Sequence, residues 1–165
     1  MALEEPLLFV ASSGTGSIVA LAHDTLRHAF SFGHEEGHGK LSMPMGVAVY
    51  RDASGKALVY VTDRDNDRLV AYDMDGGFVR AIGSRGRAPG QFMEPLGVAI
   101  SGECIFVAEG VGARLQVLSP HGASMHVLPS PDQSRLCGIA CHLDRVYVTE
   151  LLAHRLHTFR FRASK

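Results

Sequence analysis

Apolar runs rich in Val, Ile, Leu and aromatic residues alternate along the whole chain with short polar stretches rich in Asp, Ser and Gly. Runs of this length, bounded by turn residues, predict β-strands. The clearest stretch predicts strands at Gly46–Tyr50, Leu58–Thr62, Leu69–Tyr72 and Phe78–Ile82. They are separated by the turn Asp52-Ala53-Ser54-Gly55, a polar tip over Asp63–Asp67, and the turn Asp73-Met74-Asp75-Gly76-Gly77. Asp-Gly and Gly-Gly pairs favour tight hairpins because glycine accepts the positive φ they need. No apolar period of 3.6 residues persists long enough for a core helix.

The pattern repeats. Gly46-Val47-Ala48-Val49 returns as Gly97-Val98-Ala99-Ile100 and Gly138-Ile139-Ala140-Cys141. Tyr60-Val61-Thr62-Asp63 returns as Phe106-Val107-Ala108-Glu109 and Tyr147-Val148-Thr149-Glu150, and an arginine (Arg68, Arg114, Arg155) follows each acid at one fixed spacing. Phe9-Val10-Ala11-Ser12 and Ser17-Ile18-Val19-Ala20-Leu21 form a partial N-terminal copy. A period of roughly 40–50 residues denotes a repeat architecture. The units fall at about 7–33, 34–83, 84–130 and 131–162 and predict 14 short strands in one domain.

Four strands per unit make one blade, and blades set radially bury their faces on one another. The repeated glycine begins the innermost strand, where a side chain has least room. The first unit lacks the Gly-Val-Ala strand, and the last ends at Arg160-Phe161-Arg162 without a fourth. Both terminal blades are therefore expected to be incomplete. The second unit carries five extra residues in its first hairpin loop, Arg51–Lys56, where an insertion costs little.

Gly90-Gln91-Phe92-Met93-Glu94-Pro95-Leu96-Gly97-Val98-Ala99, then Asn66-Asp67-Arg68-Leu69-Val70-Ala71-Tyr72, then Gly77-Phe78 through Ile82-Gly83 resemble the opening, middle and close of the NHL repeat. The resemblance covers about residues 7–161 and implies an NHL-like, all-β propeller. Members of that family are commonly six-bladed, which implies either a segment of a longer propeller or an arc completed by another subunit.

Composition adds exclusions. The formal charge is −1, with 46% hydrophobic and 20% charged residues, so nothing global draws the chain to nucleic acid or to anionic membrane. No apolar run is long enough to span a bilayer, no membrane insertion is expected, and no leader is expected before the first strand. Cys104, Cys137 and Cys141 form no even disulfide framework. Cys137 and Cys141, four residues apart on one strand, are separated by about 13 Å. Free thiols point to a reducing, cytoplasmic compartment.

The acid–arginine pairs Asp63/Arg68, Glu109/Arg114 and Glu150/Arg155 are expected to be structural clasps across each hairpin tip, since a guanidinium holds a carboxylate and nearby carbonyls together. The nine histidines fall in different phases of the repeat and suggest no metal centre. Propeller lyases, by the same resemblance, place zinc-binding histidines just before the inner-strand phrase. Here Met45, Leu96 and Cys137 stand there, and a calcium-dependent lactonase would need more channel asparagines than the lone Asn66. Asp73-x-Asp75-Gly76 begins like a calcium loop, but Phe78 and Arg80 stand where oxygen ligands belong. No catalytic residue, metal or cofactor is assigned.

A surface remains. The loops entering the inner strands and the tips between second and third strands share one blade end, which gathers His34, His38, Lys40, Arg64, Arg85, Arg87, Gln91, Arg135 and His154. The expected function is a non-catalytic scaffold binding a protein partner there, with the partner also able to complete the propeller. Single-stranded RNA is the alternative ligand, since relatives in the resembled family read it on this face. A metal-dependent lyase or lactonase is the second alternative.

Overall fold

The computed structural model describes residues 6–161 apart from Ala153. Residues 1–5, where no leader was expected, Ala153 in the last tip, and Arg162 at the end of the last unit lie outside the described residues.

The described residues form fourteen strands in four antiparallel meanders. The first sheet holds β1 (Leu7–Ser12), β2 (Ser17–Ala22) and β3 (His28–Phe32). The second holds β4 (Pro44–Arg51), β5 (Ala57–Asp63), β6 (Arg68–Tyr72) and β7 (Phe78–Ile82). The third holds β8 (Pro95–Ser101), β9 (Cys104–Glu109), β10 (Arg114–Leu118) and β11 (Ser124–Pro129). The fourth holds β12 (Leu136–His142), β13 (Arg145–Glu150) and β14 (Leu156–Arg160). Neighbouring strands pair in sequence order within every sheet. At the tip of the second sheet, Arg64–Asn66 winds into one 3-10 turn, closed by Asp67 in the left-handed region (φ 49°).

The middle strands show why the sheets stack. Every residue of β5 and β9 is buried. Alternation then sends successive side chains to opposite neighbours. Leu58 and Tyr60 of β5 join Ile105 and Val107 of β9 between the second and third sheets. Val59 and Val61 join Phe9, Ile18 and Phe32 between the first and second. Cys104, Phe106 and Ala108 join Val146 and Val148 between the third and fourth. Three cores therefore lie between four blades.

Innermost, β4 runs beside β8 and β8 beside β12. A Cβ on Gly46 would stand 2.8 Å from the Leu96 carbonyl oxygen, and one on Gly97 would stand 2.3 Å from that of Cys137. Gly46 and Gly97 are required by this approach of neighbouring backbones, whereas a Cβ on Gly138 would meet only the Thr149 side chain (2.9 Å). Thr62 helps to close the gap: its hydroxyl donates to the Leu96 carbonyl (2.7 Å) and accepts from the Gly46 amide (2.8 Å).

β1 meets β4 as β5 meets β8 and β9 meets β12, so β1 holds a second-strand position. The first sheet thus presents second, third and fourth strands, and the last presents first, second and third, among the described residues. Their outward faces differ from the inner blades: Leu8 and Val10 of β1 are 43% and 42% exposed.

Candidate binding face

The tips of the second and third blades are built on their clasps. Arg68 donates from Nε to Asp63 Oδ2 (3.0 Å) and from its two terminal nitrogens to the carbonyls of His38 (3.1 Å) and Lys40 (2.6 Å). Asp63 also accepts from the Ser42 amide (2.9 Å) and from the Asn66 side chain (2.7 Å). Arg114 repeats the arrangement: Nε to Glu109 Oε1 (2.6 Å), Nη2 to the Gln91 carbonyl (2.7 Å) and Nη1 to the Arg87 carbonyl. The Met93 amide and Gln116 complete the shell of Glu109 at 2.7 and 2.8 Å. Burial pushes the Glu109 carboxyl above its ordinary value, while Arg114, the Met93 amide and Gln116 pull against it. The clasps fasten the entering loops through their backbones.

The third clasp departs from the sequence expectation. Arg155 Nε lies 3.9 Å from Glu150 Oε2, and the guanidinium bonds Asp132 instead. His157 Nε2 approaches Glu150 Oε1 to 3.2 Å, yet both buried oxygens of Glu150 lack a hydrogen bond among the described residues. The reason is the loop entering this blade. Residues 33–43 and 83–94 supply the carbonyls that seat Arg68 and Arg114, whereas only residues 130–135 precede β12. With no such cradle, Arg155 turns to the exposed Asp132.

Above the clasps the charged residues form a relay. Glu94 accepts from Arg64 Nη2 at 3.3 Å and from Arg135, joining the second-blade tip to the loops entering the third and fourth blades. The Glu94 amide donates to Asp67 Oδ1 (2.8 Å), and Arg85 reaches Asp67 Oδ2 at 3.9 Å. A cleft of about 180 Å³ opens between Arg64, Asp67, Arg85, Met93, Glu94 and Val111. Glu94 itself sits at φ 52°, a left-handed conformation that costs a non-glycine residue about 1 kcal/mol.

No family model and no curated protein matches the chain. Solved structures do. A chain from the crystal structure of a nidogen/laminin complex superposes with a TM-score of 0.72 at 16% identity, over 93% of this chain and 54% of that one. The glutaminyl cyclase of Myxococcus xanthus superposes with a TM-score of 0.65 at 14% identity, over 94% of this chain and 68% of that one. Four radially packed meanders and these superpositions agree. The fold is a β-propeller. The chain spans about half the length of the nidogen/laminin chain that it matches.

On this propeller the expected face residues do not form one cluster. Arg64, Arg85 and Arg135 gather around Glu94 and Asp67. His34 (3.7 Å from Glu35), Lys40 (paired with Glu36) and His38, whose ring lies 6.2 Å from Phe78, belong to the loop entering the second blade. Arg87 and Gln91 lend their carbonyls to Arg114, so their backbones are structural while the Arg87 side chain is exposed. His154 holds the left-handed tip position (φ 52°) that Asp67 and Ala113 hold in the preceding blades.

Sequence reasoning missed Glu94 as the hub. Its signal was phase: Met43, Glu94 and Arg135 stand three residues before the three repeated glycines. The tips expected on this face also present apolar side chains, with Leu152 84%, Leu151 39% and Val111 38% exposed. Asp73 caps its own turn through the Asp75 and Gly77 amides, as expected of a turn rather than a calcium loop. Among the described residues no three His, Cys, Asp or Glu side chains converge as metal ligands, and no helix is long and apolar enough to cross a membrane.

Proposed function

We propose that this propeller is an NHL-like, non-catalytic scaffold whose tip face docks a protein partner in a reducing, cytoplasmic setting. The observation that carries the reading is the pairing of exposed apolar tips, Val111, Leu151 and Leu152, with a charged relay ordered across three blades. Apolar anchors rimmed by paired charges suit a protein surface. A nucleic-acid face instead needs free cations and stacking platforms. Here Arg64 and Arg135 share Glu94, Lys40 is held by Glu36, and the chain contains no Trp. One solved neighbour is a propeller chain within a protein complex, in keeping with such a role. The outward apolar residues Leu8 and Val10 provide a second contact, filled by a further blade from the same polypeptide or another subunit.

The test is a binding assay with a partner purified on the immobilised chain. Leu152→Asp and Val111→Asp should abolish capture while leaving the unfolding midpoint in place. Unchanged capture refutes the assignment of this face. A salt-sensitive gel shift with single-stranded RNA, lost in Arg85→Ala/Arg87→Ala, would transfer the face to RNA. Turnover that requires zinc or calcium would overturn the non-catalytic reading.

A further inference from the structure

At the blade end opposite the tips, the inserted loop of the second blade acquires a use. Asp52, Ala53, Ser54 and Lys56, with Tyr50, Leu58, Arg80, Glu103, Pro120 and His121, wall a cavity of about 430 Å³ between the second and third blades. That volume lies in the range of small-molecule sites. The loop is fixed from within: Asp52 Oδ1 accepts from the Ser54 amide (2.9 Å), the Ser54 hydroxyl (2.6 Å) and the Lys56 amide (3.0 Å). Arg51 Nη1 adds a bond to the Gly55 carbonyl (2.8 Å).

Arg80 is the unusual member. It reaches inward from β7, and Nη2 donates to the Tyr60 hydroxyl (2.8 Å) and the Pro120 carbonyl (2.6 Å). Both partners are neutral. No carboxylate pairs with Arg80 among the described residues, and its buried Nε has no hydrogen-bond partner. Arg80 is half-buried, and a guanidinium partly withdrawn from water is best matched by an anionic partner. The two acids of the cavity bond away from Arg80, Asp52 within its own loop and Glu103 to the Tyr50 hydroxyl (2.5 Å), and Lys56 adds a second cation to the lining. Leu58, Tyr50 and Pro120 add an apolar wall beside the cation.

We infer that this cavity binds a small organic carboxylate, its acid group on Arg80 and its apolar body against Leu58, Tyr50 and Pro120. The forked donors of arginine match a carboxylate better than a neutral or cationic head. The inserted loop closes one side of the site, which explains why this blade alone among the three complete first hairpins carries it.

The experiment is an NMR titration of the folded chain with benzoate, benzamide and benzylamine. Benzoate should give saturable shifts at Arg80, Leu58, Tyr50 and His121. Benzamide and benzylamine should bind about tenfold or more weakly. Arg80→Gln should weaken benzoate by a similar factor, whereas Arg85→Gln on the tip face should leave it unchanged. Because Arg80 also holds Tyr60 and Pro120, its variant is read only where its spectrum stays folded; the wild-type shift map decides otherwise. Shifts confined to the tip face, equal binding of the three probes, or no saturable shift at millimolar benzoate overturns the inference.

Discussion

Removing the clasp arginines one at a time should have very unequal costs. In Arg114→Ala, Glu109 keeps a side chain with no solvent exposure but loses the guanidinium 2.6 Å away, while the Gln91 and Arg87 carbonyls lose their donor. Deleting one partner of a buried ion pair costs about 3–5 kcal/mol, because the other charge stays buried. Arg155 stands 3.9 Å from Glu150, is 56% exposed at its side chain, and pairs with an Asp132 that is 60% exposed. An exposed pair of that kind contributes about 0–1 kcal/mol. Urea unfolding followed by circular dichroism measures both. With a slope of about 2 kcal/mol per molar urea, Arg114→Ala should lower the midpoint by about 2 M, and Arg155→Ala by about 0.5 M or less. Equal losses in the two variants would refute the claim that the short entering loop leaves the third clasp slack.

Gly97→Ala should destabilise by about 1–3 kcal/mol, since its Cβ meets the Cys137 carbonyl oxygen at 2.3 Å, while Gly14→Ala, which meets nothing within 4 Å, should be near neutral; paired thermal melts decide. Tyr50 gives a pH signature. Its hydrogen bond to Glu103, aided by burial and by the charge on that carboxylate, pushes its pKa from 10.0 up to about 12. A raised folded value means the stabilisation is fully present below the unfolded value and is lost as pH rises through the folded one. Stability from Tyr50 should therefore hold to about pH 10 and fall away toward 12, and Glu103→Gln should bring the tyrosinate absorbance of Tyr50 to lower pH.

Much of the fold was legible because one physical requirement recurs in each unit. The alternation Leu58, Val59, Tyr60, Val61 states that both faces of β5 are covered, and only stacked sheets cover both. Gly46 and Gly97 announced a close backbone approach that the neighbouring carbonyls confirm. The first two clasps were legible from their spacing for the same reason. The third was not, because its outcome depends on a loop that precedes the blade by sequence and meets Arg155 only through the fold. Nor was Glu94, whose partners Arg64 and Arg135 lie in two other units. The Arg80 cavity needed the structure too: the insertion at Arg51–Lys56 was visible, but the side chain it encloses arrives from β7.

Arg68 and Arg114 grip their loops by carbonyl oxygens, which every residue type provides. Side chains at His38, Lys40 and Arg87 are thus released from any duty to hold the propeller together. Substitution there changes what the face presents at little cost in stability, provided that loop length is kept. The second and third blades are in this sense ready-made display positions for variable side chains. The fourth, with its truncated loop, offers no such latitude.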